Sequence, residues 1–474
     1  MRIVEDQSDE LAAIEKHALP TGWTWGTVVD VGAKQKNAIV DGPFGSNLKL
    51  SDYVADGTVP VLTTKNLSGK YDDLRYVRHE KFEELKRSAV YPNDILVAKI
   101  GSCGKTGIYP ANMPPAIIPA NLLKVTLNDR FDKKYVFHYF NSPFFQRALK
   151  TIIRASAQPA FGVTSFRRLP LPIAPLSDQL AVVAELEKQF SRLDEAVANL
   201  QRVKANLKRY KASVLKDAVE GRLVPTEAEL ARREGRAFET GEQLLERILE
   251  ERRDQWKGRG KYREPAAPND VVSFSLPEGW SLGTLDQLHL QIADVDHKMP
   301  RAVDVGVPYV STKDFFGDEG INFKGAKRIS TEDFEALCRK VRPENGDILL
   351  SRYGTIGEVR LVTTDEPFQA SYSVAILKPV REQIPVSFLA TVLRSDVVIS
   401  QIKRDVRATA QPDLGLAHIR QFVVPIPPIG EQKRIVAETD RCLSIVRGVE
   451  AEVDVNLKRA QALRQSVLRS AFRA

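Results

Sequence analysis

Two long stretches of the chain place apolar residues at alternating spacings of three and four, which is the heptad pattern of helices that pair along one face. Each stretch follows a proline-rich segment, and Ser177-Asp178 and Gly430-Glu431 supply residues typical of a helix start. Some positions of the predicted contact face are charged, which favours two dissimilar helices pairing with each other over a symmetric dimer. The alternative is two amphipathic helices that pack separately, each on its own domain. The predicted contact residues are Phe190, Leu193, Val197, Leu200, Leu207 and Val214 in the first helix and Leu443, Val446, Val453, Leu457, Ala460 and Val467 in the second.

The two large remaining parts of the chain carry short β-branched runs between turn residues, a pattern typical of mixed α/β domains. Strands are predicted at 59–64, 95–100, 122–127 and 348–351, and helical segments at 131–150 and 385–404. A short amphipathic helix is predicted at 242–256, followed by a solvated linker at 257–270.

The chain is an internal duplication. Residues 158–186 align without a gap to 411–439, with eleven identities in 29 positions where about two are expected by chance. We therefore predict two similar strand-rich α/β domains separated by two long helices, which form an antiparallel coiled coil with approximate two-fold symmetry. The predicted organisation is a helical extension at 1–18, a first domain at 19–176, a spacer helix at 177–220, a short helix and linker at 221–275, a second domain at 276–429 and a distal helix at 430–474.

Composition narrows the class of protein. The chain has 474 residues, 43% of them hydrophobic and 27% charged, which is typical of a globular protein rather than a disordered one. A net charge of +8 permits a nucleic-acid partner without requiring one. Three cysteines are too few and too scattered for a disulfide framework or a zinc site. With no signal peptide and no membrane-length apolar run, we expect a cytoplasmic protein with reduced thiols.

Catalytic motifs are matched only superficially. The segment Gly101-Ser-Cys-Gly104-Lys105 resembles a phosphate-binding loop but has two residues, not four, between the first glycine and the Gly-Lys pair. Asn141-Ser-Pro-Phe144 is one residue away from an amino-methyltransferase signature, and a helix interruption explains it better. Asp94 with Lys99 lacks the further acidic residue of a nuclease core. We therefore predict no catalytic residue, no metal site and no cofactor bound by this chain.

Several motifs resemble one family over essentially the whole chain. They are Gly42-Pro-Phe-Gly-Ser-Asn-Leu48, Val59-Pro-Val-Leu-Thr-Thr-Lys65, Asn93-Asp-Ile-Leu96, Gln158-Pro159 with Gly162, and Pro-Ile-x-Pro-Leu/Ile-x-x-Gln before each long helix. This pattern resembles the specificity subunit of type I restriction–modification systems.

The resemblance implies a non-catalytic protein in which each domain is a target-recognition domain for one half of an asymmetric, bipartite site in double-stranded DNA. It further implies that two methyltransferase (modification) subunits dock on the helices and that restriction (motor-endonuclease) subunits join them. S-adenosylmethionine is then expected on the methyltransferase subunits. No membrane partner is implied.

Residues suited to DNA contact are polar or cationic side chains on predicted turns, because base edges are read by hydrogen bonds and phosphates are held by cations. The candidates are Lys65, Asn66, Lys99, Ser102, Lys105, Arg154 and Gln158 in the first domain and Lys313, Asp314, Arg352, Tyr353, Arg407 and Gln411 in the second.

Two other functions compete with this one. The chain could be the recognition subunit of a related fused restriction–methyltransferase system, which requires a separate catalytic chain. It could also be a structural coiled-coil adaptor with repeated protein-binding domains, which predicts no DNA affinity even when partners are present.

Overall fold

The structure is a computed structural model that describes residues 19–43, 47–154, 157–256, 261–269, 272, 274–297, 299–406 and 412–473. The predicted extension at 1–18 and part of the predicted linker at 257–270 lie outside the described residues. By its internal contacts the chain divides into two units, residues 1–201 with 454–474, and residues 202–453.

The first domain is built on two four-stranded sheets, with strand orders β2-β9-β6-β7 and β4-β3-β8-β5. Its first strand and its last form a separate antiparallel pair, in which Thr24 lies opposite Ile173. The predicted strands at 59–64, 95–100 and 122–127 are confirmed, each ending two or three residues earlier than expected. The strands are β1 Thr24–Thr27, β2 Ile39–Asp41, β3 Val59–Val61, β4 Arg75–Val77, β5 Ala89–Val90, β6 Ile95–Ala98, β7 Thr106–Ile108, β8 Ala116–Ile117, β9 Leu122–Val125 and β10 Pro170–Ile173.

The segment predicted to be helical at 131–150 consists of two helices, which confirms the helix interruption predicted at Asn141-Ser-Pro-Phe144. The break lies at Ser142, whose hydroxyl oxygen accepts a 3.3 Å hydrogen bond from the Phe145 amide, with Pro143 opening the second helix. A serine cap followed by proline starts a new helix more favourably than it continues an old one. The helices of this domain are α1 Val28–Val31, α2 His79–Glu84, α3 Lys133–Phe140, α4 Pro143–Ile152 and α5 Val163–Arg167.

Three helices follow the first domain. The first of them, the long helix α6, spans Leu176–Val219. It is followed by α7, Glu227–Glu234, which the sequence did not predict, and by α8, Gly241–Asp254, close to the predicted 242–256. The N-cap threonines of α7 and α8, Thr226 and Thr240, each accept a hydrogen bond from an amide of the first turn.

The second domain repeats the topology of the first. Its main sheet has the order β12-β20-β17-β18, which matches β2-β9-β6-β7 strand for strand, and β11 pairs with β21 as β1 pairs with β10. The strands are β11 Ser281–Thr284, β12 His289–Ala293, β13 Val307–Val310, β14 Phe315–Phe316, β15 Gly320–Ile321, β16 Lys327–Ile329, β17 Ile348–Ser351, β18 Val359–Leu361, β19 Gln369–Ala370, β20 Val374–Pro379 and β21 Val423–Ile426.

The helical segment predicted at 385–404 is likewise divided, at the buried Ser395, which is the repeat position of Ser142. The Ser395 hydroxyl donates to the Val392 carbonyl at 2.6 Å, which helps to end the preceding helix. The helices of the second domain are α9 Leu285–Leu288, α10 Thr331–Cys338, α11 Val386–Leu393, α12 Asp396–Asp405 and α13 Leu416–Gln421.

The second long helix, α14, spans Ile429–Ala471 and pairs with α6. In the first unit Arg464 lies 4.2 Å above the Phe190 ring and 2.6 Å from the Asp194 carboxylate. In the second unit Glu450 lies 3.2 Å from Lys211. Residue numbers rise along α6 as they fall along α14, so the two helices run antiparallel. All twelve predicted contact residues are buried or half-buried.

No helix in the described parts of the chain is long and apolar enough to span a membrane. The three cysteines are free thiols, with Cys442 buried and the other two half-buried. The predicted fold class of two similar α/β domains with two long pairing helices is confirmed.

Candidate nucleic-acid interface

A glycine turn follows the same strand in both domains. Gly101 and Gly104 have φ angles of 78° and 86°, and their repeat positions Gly354 and Gly357 have 75° and 90°. These are left-handed conformations that side-chain-bearing residues adopt only with strain. The shared geometry makes the segment a structural turn in both copies, as the sequence predicted when it rejected a phosphate loop.

Behind each turn lies a buried ion pair that the sequence analysis missed. Lys99 pairs with Asp41 in the first domain, and Arg352 pairs with Asp294 at 2.7 Å in the second. All four side chains are buried, and both partners of the second pair stand 253 positions after those of the first. Lys99 and Arg352 were predicted to contact DNA, and the structure instead places their cations inside the domains, where each neutralises a buried carboxylate.

Two more candidates are used by the fold itself. The buried Asn66 accepts a 2.6 Å hydrogen bond from the Thr63 amide and donates one of 2.6 Å to the Lys70 carbonyl. Asp314 accepts hydrogen bonds from the amide and the hydroxyl of Ser311, at 2.8 and 2.9 Å. Both side chains hold a short 3-10 turn in shape through these local hydrogen bonds.

The other candidates of the first domain are exposed and share one surface. The Lys105 ammonium donates a 2.6 Å hydrogen bond to Ser68, which connects the glycine turn to the turn that carries Lys65. The Gly101 amide donates to the Pro159 carbonyl at 2.9 Å, which connects the same turn to the segment that carries Arg154 and Gln158. We call this surface the cationic loop surface; it is defined by its exposed members, Lys65, Ser102, Lys105, Arg154 and Gln158.

In the second domain Lys313 is exposed and Tyr353 is half-buried, and both line an open cavity of about 940 Å³. The Arg352 guanidinium lies over the Tyr353 ring, 4.5 Å from its centre, and packs against it. Arg407 and Gln411 lie outside the described residues.

Residues that resembled catalytic groups are separated by the fold. Asp94, which had suggested a nuclease core with Lys99, accepts a 2.8 Å hydrogen bond from the Tyr91 amide and pairs with Lys124 at 3.6 Å. Its repeat position Asp347 pairs with Lys378 at 2.8 Å. Among the residues that the structure describes, no cluster of histidine, cysteine, aspartate or glutamate could hold a metal ion.

Each long helix is anchored to its domain at its first turn. The Trp23 indole donates a 3.0 Å hydrogen bond to Asp178, and the buried Gln179 donates one of 2.9 Å to the Ala174 carbonyl. In the second copy the buried Gln432 donates to the Pro427 carbonyl at 2.8 Å. Burial raises the pKa of the neighbouring Glu431. The glutamine of the Pro-x-x-x-Gln motif thus binds the carbonyl five residues before it in both copies.

A duplicated α/β domain with polar and cationic loops, attached to two paired helices, has the architecture of a modular recognition protein rather than of an enzyme built around one cleft. The family model for the type I restriction modification DNA specificity domain matches residues 44–208 and 278–451, and the chain therefore belongs to this family. It is a specificity subunit of a type I restriction–modification system, with two DNA-recognition domains.

Known proteins agree with this assignment. The chain is 25% identical over 394 residues to the type I restriction enzyme EcoBI specificity subunit of Escherichia coli, covering 81% of this chain and 74% of that one. It is 22% identical to the EcoAI specificity subunit of the same organism, covering 90% and 78%. A solved chain from work on complex assembly and conformational transition of the type I R-M system shares the fold, with a TM-score of 0.61, 18% identity and coverage of 97% and 99%.

Proposed function

We propose that this subunit reads an asymmetric, bipartite sequence in double-stranded DNA, one half-site with each recognition domain, and carries no catalytic activity itself. The observation that carries the proposal is that one fold occurs twice with different side chains at equivalent loop positions. Ile100 and Ala120 in the first domain correspond to Tyr353 and Tyr372 in the second. Domains of the same shape with different contact residues read different base sequences.

The cationic loop surface supports DNA contact by the first domain. It combines three cations with the polar side chains of Ser102 and Gln158, a set that suits both phosphate oxygens and base edges. The modest net charge of +8 leaves a large share of the phosphate contacts to partner subunits.

We further propose that two methyltransferase subunits dock on α6 and α14. Exposed apolar side chains on the described helices support this docking, because apolar groups clustered on a surface mark protein interfaces. In the second unit they include Val203, Tyr210, Ile445 and Val449. Residues 201–220 also carry six basic and two acidic side chains, which suit an acidic partner surface or DNA. The methyltransferase subunits would bind S-adenosylmethionine, and restriction subunits would join the same assembly.

The test is a footprint of the complex formed with the methyltransferase subunits of the same system, on DNA that carries the methylated sequence. Two protected half-sites separated by an unprotected gap are expected. A chain in which residues 19–176 are replaced by the equivalent domain of a relative should change one half-site and leave the other unchanged.

A continuous footprint without sequence preference would contradict the proposal, as would a simultaneous change of both half-sites in the exchanged chain. Assembly with the methyltransferase subunits but no DNA binding by the complex would favour the adaptor function instead.

A further inference from the structure

The second recognition domain contains a concave cleft with aromatic walls. The cavity of about 940 Å³ is lined by Tyr309, Tyr353, Tyr372 and His297. His297 stacks on Tyr372 with ring centres 4.8 Å apart and planes inclined by 20°, and the Tyr353 ring meets Tyr372 edge-on at 5.6 Å. The Tyr309 ring is buried, whereas the His297, Tyr353 and Tyr372 rings are exposed or half-buried at the open cavity and form a surface on which a planar ring can stack.

Polar and cationic groups surround these rings. Lys313 at the rim is exposed and makes no hydrogen bond or ion pair with any described residue. The Lys327 ammonium lies 5.8 Å from the centre of the Tyr309 ring and donates a hydrogen bond to the Pro300 carbonyl, which leaves its positive charge without an anionic partner. The hydroxyl-bearing Thr312 and Ser373 also line the cavity, as does Asp314, whose carboxylate is held by the amide and hydroxyl of Ser311. The cleft therefore combines stacking faces, hydrogen-bonding groups and positive charge.

The first domain does not have these rings at the matching positions. Tyr309, Tyr353 and Tyr372 correspond to Val61, Ile100 and Ala120. The rim lysine is retained, since Lys313 corresponds to Lys65. The aromatic walls are thus a property of one domain and not a requirement of the shared fold.

We propose that this aromatic cleft accepts one nucleotide of the second domain's half-site, with its base turned out of the helical stack. The proposal rests on the proposed DNA-reading function and adds to it a specificity-determining site in one of the two domains. Base faces are covered by their neighbours in an intact duplex, and a concave cleft cannot meet them unless a nucleotide leaves the stack. Aromatic rings then stack on the base, hydroxyls bind its edge, and Lys313 binds its phosphate.

Arg352 is a positioning residue for this site. Its guanidinium is fixed by Asp294 and by the Leu414 carbonyl at 2.9 Å, and it lies against the Tyr353 ring. The buried ion pair therefore holds one wall of the cleft in place from inside the domain.

The test uses the full complex with methyltransferase subunits and duplexes that carry 2-aminopurine at one position of the second half-site at a time. An unstacked 2-aminopurine fluoresces more strongly, so we expect an increase at one position other than the adenine that becomes methylated. The methylated adenine serves as an internal control for extrusion by the methyltransferase. Tyr372→Leu and Tyr353→Leu should abolish the new signal and weaken binding roughly ten- to hundredfold, whereas Tyr372→Phe should retain the signal.

Ile100→Leu in the first domain, at the position that matches Tyr353, is the matched control and should leave the signal unchanged. If the leucine variants do not assemble, Lys313→Ala is the second variant, because an exposed lysine can be removed without disturbing the core; it should reduce both the signal and the affinity.

If 2-aminopurine fluorescence does not increase with the unaltered chain, the proposal is wrong. It is also wrong if the increase remains in full in the leucine variants or in Lys313→Ala. Either result, obtained while both half-sites are still protected in the footprint, rejects the cleft and not the bipartite reading. Loss of protection at both half-sites would instead reject the proposed function.

Discussion

The Lys211 ammonium donates a hydrogen bond to the Glu450 carboxylate at 3.2 Å, which joins two charged residues at contact positions of α6 and α14. Lys211 also pairs with Asp318 of the second domain. Two of the charged residues on the predicted contact face, Lys211 and Glu450, are thus partners of each other. A face of this kind specifies its partner helix through charge as well as through apolar packing.

Reversing one of these charges should destabilise the second unit. In Glu450→Lys two cations face each other across the half-buried pair, and we expect a loss of about 1–2 kcal/mol in the free energy of unfolding. Glu452→Lys on the exposed side of the same helix is the control and should change stability by less than about 0.5 kcal/mol. Thermal unfolding of the two variants measures the difference, and equal effects would contradict the role of the pair.

Removing the carboxylate of a buried ion pair should lower the free energy of unfolding by more than the charge reversal at Glu450 does. Asp294→Asn leaves the Arg352 cation buried without its charge partner, which costs about 3–5 kcal/mol. Asp296→Asn is the matched control, because the Asp296 side chain is 77% exposed and the Lys340 side chain that it pairs with is itself half-exposed. Chemical denaturation of both variants should separate them clearly, and similar midpoints would show that the buried pair contributes little.

Replacing Gly101 and Gly448 by alanine should change the stability of the protein in opposite directions. Gly101 has a φ of 78°, and an alanine there has room for its methyl group but adopts a strained backbone, which costs about 1–2 kcal/mol. Gly448 lies inside α14 with open space around it, and alanine there should stabilise the helix by about 0.5–1 kcal/mol. Shifts of the same sign in thermal unfolding would contradict the assigned backbone conformations.

The buried His289 should make stability fall in mild acid. Burial lowers the pKa of His289 to about 4 from an ordinary value near 6.5, and its Nδ1 atom lies 2.6 Å from the Leu285 carbonyl oxygen. A lowered folded-state pKa contributes stability that is present above pH 6.5 and is lost as the pH falls towards 4, by about 3 kcal/mol in total.

The measurement is the slope of unfolding free energy against pH. His289→Leu should flatten the slope between pH 6.5 and 4 whatever its stability at neutral pH, whereas His79→Leu, at a largely exposed site, should leave it unchanged. An unchanged slope in His289→Leu would show that this ring does not govern the acid response.

Lysines of the cationic loop surface should contribute more to DNA binding than an exposed lysine of the same domain that already has an acidic partner. Lys65→Ala and Lys105→Ala should each lower the salt dependence of DNA binding by about one unit of slope if each cation neutralises one phosphate. Lys86→Ala is the control, because Lys86 is already paired with Glu83 at 2.8 Å. Binding titrations of the assembled complex at several salt concentrations provide the slopes, and three identical slopes would place DNA elsewhere.

Local sequence patterns were sufficient for the fold class and the helix starts. The heptad spacing and the proline-rich segment before each long helix are patterns formed by residues close together in the chain. For this reason α6 and α14 begin within one residue of the predicted positions. The break at Ser142 was predicted because Pro143 follows the serine, whereas no proline marks the break at Ser395, and a helical pattern continues across that position.

The buried ion pairs could not be predicted from local spacing, because each joins residues 58 positions apart. A lysine on a turn after a strand looks the same in sequence whether it faces solvent or a buried carboxylate. The duplication did contain a signal, since Asp41 and Lys99 are matched by Asp294 and Arg352 at one common offset. A charge pair preserved together in both copies indicates contact within the fold rather than contact with DNA.

The pairing of β1 with β10, and of β11 with β21, brings the two ends of each recognition domain side by side. Because the chain enters and leaves each domain through one two-stranded ribbon, the two covalent connections of each domain lie next to each other. Recombination between related genes at these strands would therefore exchange a complete recognition domain. The exchanged subunit would recognise a new DNA sequence, while the long helices on which the partner subunits dock would stay the same.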